Sequence, residues 1–156
     1  MRRVFVIIFV LFSAVGCASD RFDWPKTYPV NWRFGELSAK EQEIYLATLD
    51  WMQHTWEKWD WPLPRKIYVE LLGGDAPPDL LSRLSFPDYT VDVGSGYRHG
   101  RGVRFDIGKI AMSGPDEAIV QGGFLFGSVG GEWGEFRLVK RAGKWIVLGR
   151  TVTICS

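Results

Sequence analysis

The run from Ser38 to Trp59, SAKEQEIYLATLDWMQHTWEKW, carries apolar residues at helical spacing, and the segments after it alternate mostly with a period of two. Tyr45, Leu49, Met52 and Trp56 recur every three or four residues, and Ile44, Thr48, Trp51 and Thr55 form an adjoining row. A stripe this broad has to be buried against another element. Ser38 and Glu41 make an S-x-x-E capping pattern, in which each side chain satisfies a backbone N–H at the helix start. Pro62 and Pro64 bar the helix from continuing past about Trp61. One long amphipathic helix followed by strands restricts the chain to an α+β fold.

The strand patterns follow in order. In KIYVELL, Ile67, Val69 and Leu71 alternate with Tyr68 and Glu70, as in a half-buried strand. GGDAPPDLLSRL reads as a turn and a short helix with Leu80, Leu81 and Leu84 inward, and YTVDV as a short strand. In GVRFDIGKIAM, Val103, Phe105 and Ile107 alternate with Arg104 and Asp106, and Gly114-Pro115-Asp116 makes a turn. EAIVQGGFLFGS is the next strand, where Gly122-Gly123 marks a bend or bulge. EWGEFRLVK and KWIVLGRTVTI flank the loop RAG, whose Gly143 suits a positive φ. The expected architecture is a long N-terminal helix packed on a curved, cone-like antiparallel sheet that ends in a meander of about four strands. Trp145 and Val147 share one face of the last strand, which is expected to meet the helix stripe.

Residues 5–20, FVIIFVLFSAVGCASD, belong to a different regime. Arg2 and Arg3 precede an apolar run that passes through small residues to Cys17. From Val4 to Gly16 there are 13 residues, short of the about 20 that a membrane-spanning helix needs. A basic start, a short apolar centre and a small-residue ending read as a secretory signal. SAVGC resembles the lipobox of bacterial lipoproteins, although Ala14 stands where leucine is most usual. The resemblance implies cleavage before Cys17, diacylglycerol on its thiol and anchoring in the cell envelope, with palmitate among the acyl chains. Two or more chains give the stable attachment that one does not. Ala18 follows the cysteine where inner-membrane lipoproteins tend to carry aspartate, so the outer membrane is favoured if the host is Gram-negative. The expected division is a signal peptide at 1–16, a tether at 17–37 and a single α+β domain at 38–156. The aromatics Trp24, Tyr28, Trp32 and Phe34 place the second half of the tether on the domain surface.

Loss of residues 1–16 removes Arg2 and Arg3 and turns the formal net charge of +1 into −1. That balance gives no electrostatic case for nucleic acid. With Cys17 lipidated, Cys155 stands alone, no disulfide is expected, and the fold has to rest on its core. Eight tryptophans, five tyrosines and ten phenylalanines supply the area.

The tail carries a second likeness. DEAIVQGGFLFGSVGGEWGEFRLVKRAGKWIVLG has a Gly-Gly-aromatic strand, a glycine-rich loop and a strand ending in Lys-x-x-Gly-Lys-Trp. This resembles the closing strands of uncharacterised bacterial proteins with a nuclear transport factor 2-like, or ketosteroid-isomerase-like, cone. The likeness covers roughly residues 64–156. One helix stands here where the family has a pair, and the chain closes in TICS rather than a His-Trp-x-Ser-like end. Enzymes of this kind work with a carboxylate base and hydrogen-bond donors in an apolar cone, which singles out Asp106 as the catalytic candidate. Alternation instead turns Asp106 to solvent if Phe105 and Ile107 face the core.

No nucleotide-binding loop, dinucleotide fingerprint, H-E-x-x-H or C-x-x-C is present. The glycine-rich GSGYRHGRG, with Arg98, His99 and Arg101, reads as a mobile basic turn, or as a site for an anionic headgroup or sugar. His54, near the helix end, and His99 are the only histidines and make no metal set. Trp51 and Trp56 are expected in the core. Trp59 and Trp61 cover its end or stack on a ligand. No cofactor or metal is expected. The expected function is that of a lipid-anchored envelope module that binds a protein or a small hydrophobic ligand, with a small-molecule enzyme as the alternative.

Overall fold

The computed structural model describes residues 33–58, 65–126 and 130–155. Helix α1 spans Ala39–Trp56 and starts with the expected capping box: the Glu41 N–H donates to Ser38 Oγ at 3.3 Å, and the Ser38 N–H donates to Glu41 Oε2 at 2.9 Å. Ile44, Tyr45, Thr48, Leu49, Met52 and Trp56 are all buried along it. Thr48 is tolerated there because its hydroxyl donates to the Ile44 carbonyl at 2.9 Å, so no polar atom is left dry. A short 3-10 turn, Phe34–Glu36, precedes α1, and Phe34 is fully buried in the same core. The Phe34 and Gly35 N–H groups both donate to the Asp79 carboxylate, which ties this turn to the rest of the fold.

The strands are β1 (Lys66–Leu71), β2 (Gly74–Asp75), β3 (Thr90–Val93), β4 (Val103–Gly114), β5 (Glu117–Leu125), β6 (Gly131–Arg141) and β7 (Lys144–Cys155). A short helix α2, Pro78–Leu81, lies between β2 and β3 and buries Leu80. The sheet order is β2-β1-β4-β5-β6-β7, with β3 paired to β1. The architecture is α+β: one N-terminal helix packed against a mostly antiparallel, seven-stranded mixed sheet. The meander β4–β7 is antiparallel throughout, as its turns imply. The sheet as a whole is not purely antiparallel, because β1 pairs in parallel with both β3 and β4. The reason lies in the connections. The chain leaves β1 by a tight turn at Leu72-Gly73 into the antiparallel β2, then runs through α2 to β3 and through a glycine-rich loop to β4, and connections of that length can return a strand in the direction of β1.

Two turn features refine the sequence reading. The β6–β7 hairpin closes over Ala142 and Gly143 with φ of 48° and 79°, so Ala142 shares the positive φ expected of Gly143 alone. Gly122-Gly123 is not the bulge. Ile107 pairs with Gly122 and Ile110 with Val120, which puts the extra residue in β4. Gly123 is needed for close approach instead: a Cβ there would sit 2.0 Å from the Glu132 carbonyl oxygen of β6.

The helix side of the sheet is filled. Val69, Phe105, Val120, Phe124, Phe136 and Leu138 have no exposed surface. Phe105 meets Phe124 edge-on at 5.2 Å, and Trp51 meets Phe136 edge-on at 5.5 Å. Trp145 is buried as expected, with the Lys40 ammonium of α1 5.8 Å from its ring. Among the described residues, no helix is long and apolar enough to cross a membrane.

Candidate functional site

Two polar arrangements stand out. The first is an open groove of about 580 Å³. One wall is the polar face of α1 and its C-cap: Asp50, Gln53, His54 and Glu57 recur at three, one and three residues, which lines them up along one side of a helix. The other wall is Arg65, just before β1, and the segment Ser85–Tyr89 leading into β3. The Thr90 N–H donates to the Arg65 carbonyl, which holds these two pieces together.

The groove is lined chiefly by acceptors. His54 Nδ1 lies 2.8 Å from the Asp50 carbonyl oxygen. A carbonyl only accepts, so Nδ1 carries the proton, and in the neutral ring Nε2 is left as an acceptor. Gln53 is 3% exposed, and its Nε2 donates to Glu57 Oε1 at 2.6 Å. Its Oε1 is then an acceptor without a hydrogen-bond partner among the described residues. Asp50, Glu57 and Asp88 add three carboxylates, against the single guanidinium of Arg65, which lies 3.4 Å from Asp88. Burial pushes the Tyr89 phenol above its usual range, and the Glu57 charge adds to that. Tyr89 is therefore protonated at neutral pH.

The second arrangement lies on the sheet face away from α1. Here the structure corrects the placement of Asp106. Phe105 and Ile107 do face the core, yet Asp106 is only 7% exposed. Alternation put it on the second face correctly, but that face is covered locally. The 3-10 turn Gly94–Gly96 brings buried Tyr97 edge-on against buried Tyr68 at 5.5 Å. The Arg104 guanidinium lies 5.8 Å from the Tyr97 ring. Arg104 Nη2 donates to Asp106 Oδ2 at 2.9 Å, Nε approaches Oδ1 at 2.7 Å, and Nη1 reaches Glu70 Oε2 at 3.0 Å. Burial raises the Asp106 carboxyl to about 6. The Arg104 charge and hydrogen bonding from Arg104 and Trp133 oppose this without overcoming it. Burial likewise raises Glu70, with Arg104 pulling the other way.

Of the other residues singled out from the sequence, Arg98, His99 and Arg101 are exposed in the loop after the Gly94–Gly96 turn. Arg98 Nη1 donates to the Ser95 and Tyr97 carbonyls at 3.1 and 2.8 Å, so this side chain caps its own loop. The His99 ring packs edge-on to Tyr97 at 5.7 Å. Tyr97 thus links this loop to Arg104 and Asp106. Cys17, Trp59 and Trp61 lie outside the described residues. Sequence reasoning passed over Asp50, Gln53, Glu57, Arg65, Asp88 and Tyr89. The helical half of that set was visible as a polar row at positions 50, 53, 54 and 57, but its opposing wall is brought there only by the fold. Among the described residues, no group of three or more His, Cys, Asp or Glu side chains is arranged to hold a metal ion. No family model, curated protein or solved structure matches the chain.

Proposed function

We propose that this chain is a lipid-anchored envelope protein whose domain binds a partner or ligand without transforming it. The observation that carries the reading is the filled helix side of the sheet. In a ketosteroid-isomerase-like cone that side holds the substrate pocket. Here Met52, Phe105, Phe124 and Phe136 occupy it with no exposed surface. Arg150, 7% exposed in its side chain, is also stopped there by the Glu132 carboxylate and by the rings of Trp51, Phe124 and Phe136. The polar α1 groove is an open recess whose form suits recognition. The inferred relation to the nuclear transport factor 2-like cone, with a curved sheet, draws support from the β4–β7 meander and its register shifts in β4 and between β6 and β7. Anchoring rests on the SAVGC lipobox and Cys17.

A second reading, an enzyme acting through Asp106, draws on one observation: a buried carboxyl raised to about 6 beside a Trp133 donor. Against it, Arg104 engages both carboxylate oxygens, and the α1 groove does not reach Asp106. An apolar naphthalene sulfonate dye separates the two readings. The binding module should show no saturable dye fluorescence on the folded protein. Saturable binding quenched by an apolar competitor and lost in Phe136→Ala, with the fold retained, would favour the enzyme. Lipidation is tested by labelling cells with a palmitate analogue. The full chain should take up label and fractionate with membranes, and Cys17→Ser should do neither. Label persisting in Cys17→Ser would overturn the anchor.

A further inference from the structure

We propose that the groove between α1 and the Ser85–Tyr89 segment binds an extended organic cation, a guanidinium or ammonium group on an alkyl stem. The inference deepens the binding reading and rests on it.

Three observations lead there. The first is polarity. Asp50, Glu57 and Asp88 put three carboxylates around one recess of a chain that is otherwise near neutral. Arg65 lies 3.4 Å from Asp88 and the His54 ring 3.6 Å from Asp50, and Glu57 has no cationic partner among the described residues. The second is the kind of group presented. Gln53 is almost wholly buried, and its Nε2 is held by Glu57, so its carbonyl oxygen is turned out as an acceptor with no partner among the described residues. In the neutral ring, the hydrogen bond of His54 Nδ1 to the Asp50 carbonyl leaves Nε2 as an acceptor in the same way. A ligand meeting this surface has to bring donors. Guanidinium carries five N–H donors and ammonium three, with no acceptor on either.

The third observation is extent. Asp50 and Glu57 lie two helical turns apart, about 10 Å along the axis. A bare divalent ion satisfies its ligands at about 2 to 2.6 Å and needs them convergent. The groove's carboxylates do not converge in that way. An arginine side chain or a linear polyamine has the length to run from the Gln53–Glu57 pair toward Asp88. The protonated Tyr89 phenol at the groove wall gives the stem an aromatic surface.

The test is calorimetric titration of the full chain in a nonionic detergent with three probes: spermidine, an acetylated Gly-Arg-Gly amide, and the same tripeptide with citrulline in place of arginine. The expected result is saturable one-to-one binding of spermidine, the arginine peptide or both, and none of the citrulline peptide. Binding of the arginine peptide alone assigns the cation to a protein partner. Binding of spermidine alone assigns it to a free polyamine. Glu57→Gln combined with Asp88→Asn should weaken binding by about tenfold or more, and salt should weaken it as well. Both positions are exposed, and asparagine tolerates the φ of +65° found at Asp88, so the variant's melting should match the parent. No saturable heat with either cation, or binding equally strong in the double variant, would overturn the proposal. The dye and labelling experiments are independent of this outcome, so the groove can fail while the anchored binding module stands.

Discussion

Glu70 and Asp106 lie directly opposite one another in the parallel register of β1 and β4, and the guanidinium of Arg104 closes on both. One cation is therefore shared between two carboxylates on a covered patch of the sheet. Burial disfavours a second negative charge beside the first, and each acid is raised above its ordinary range. The same patch explains why Trp133 crosses to Asp106. Asp106, Gly123 and Trp133 are partners in one row across β4, β5 and β6, and the Trp133 ring lies over Gly131, where a Cβ would come within 2.1 Å of it.

The burial of Asp106, which outweighs the opposing charge of Arg104, predicts a sign for the pH dependence of stability. Asp106 titrates at about 6 in the fold and at about 4 in the unfolded chain. Between those values the native state holds more protons, so the free energy of unfolding falls as pH rises. This contribution is fully present below about pH 4 and gone above about pH 6. Its upper size is about 2 to 3 kcal/mol at roughly 1.4 kcal/mol per unit. Urea unfolding across this range, comparing the parent with Asp106→Asn, should show the slope reduced in the variant. Glu70→Gln should shrink it too, because the Glu70 charge helps to raise Asp106. A slope of opposite sign, or one unchanged in Asp106→Asn, would refute the assignment.

Gly123→Ala should be among the most disruptive small substitutions in the sheet. Its Cβ would lie 2.0 Å from the Glu132 carbonyl oxygen and 2.8 Å from Trp133 Cα, both backbone atoms that a rotamer change cannot move. A loss of about 1 to 3 kcal/mol or more is expected. Gly149→Ala, which meets nothing within 4 Å, is the matched control and should stay close to the parent. Denaturant midpoints decide the matter, and equal midpoints for the two variants would show that β6 does not press on β5 as described.

Trp145→Ala should cost about 3–5 kcal/mol, the usual range for emptying a buried tryptophan site. Trp145→Phe should cost far less than its lost volume implies. The indole Nε1 is buried without a hydrogen-bond partner among the described residues, so its removal relieves a desolvation penalty. Thermal melts of both variants test this. If Trp145→Phe were as damaging as Trp145→Ala, the N–H would have to be satisfied in solution.

The hairpin Ala142-Gly143 holds an alanine at a φ of 48°, where a Cβ is strained. Ala142→Gly should raise stability by up to about 1 kcal/mol, and Ala142→Asn, suited to this turn, should do so as well. A lowered melting temperature in both would mean that Ala142 is held by contacts the turn geometry does not show.

The length of α1, its capping box, its buried stripe, the β4–β7 meander and the burial of Trp145 were legible in the chain. Each depends on neighbours within one element or one hairpin, and the periods of 3.6 and 2 report such relations directly. The parallel pairing of β1 with β3 and β4 was not legible, because alternation along a strand says which residues share a face and nothing about the direction of the strand beside it. Asp106 shows the same boundary within one residue. Its alternation with Phe105 and Ile107 assigned the face correctly. Whether that face met water depended on Tyr68, Tyr97 and Trp133, which come from three other parts of the chain. The groove is the converse case. Asp50, Gln53, His54 and Glu57 form a row that any helix displays, but a row becomes a recess only when Arg65 and Ser85–Tyr89 are folded against it. Local spacing sets what a side chain can face, and long-range packing sets what is there to be faced, which is why the elements were readable from the sequence and the site was not.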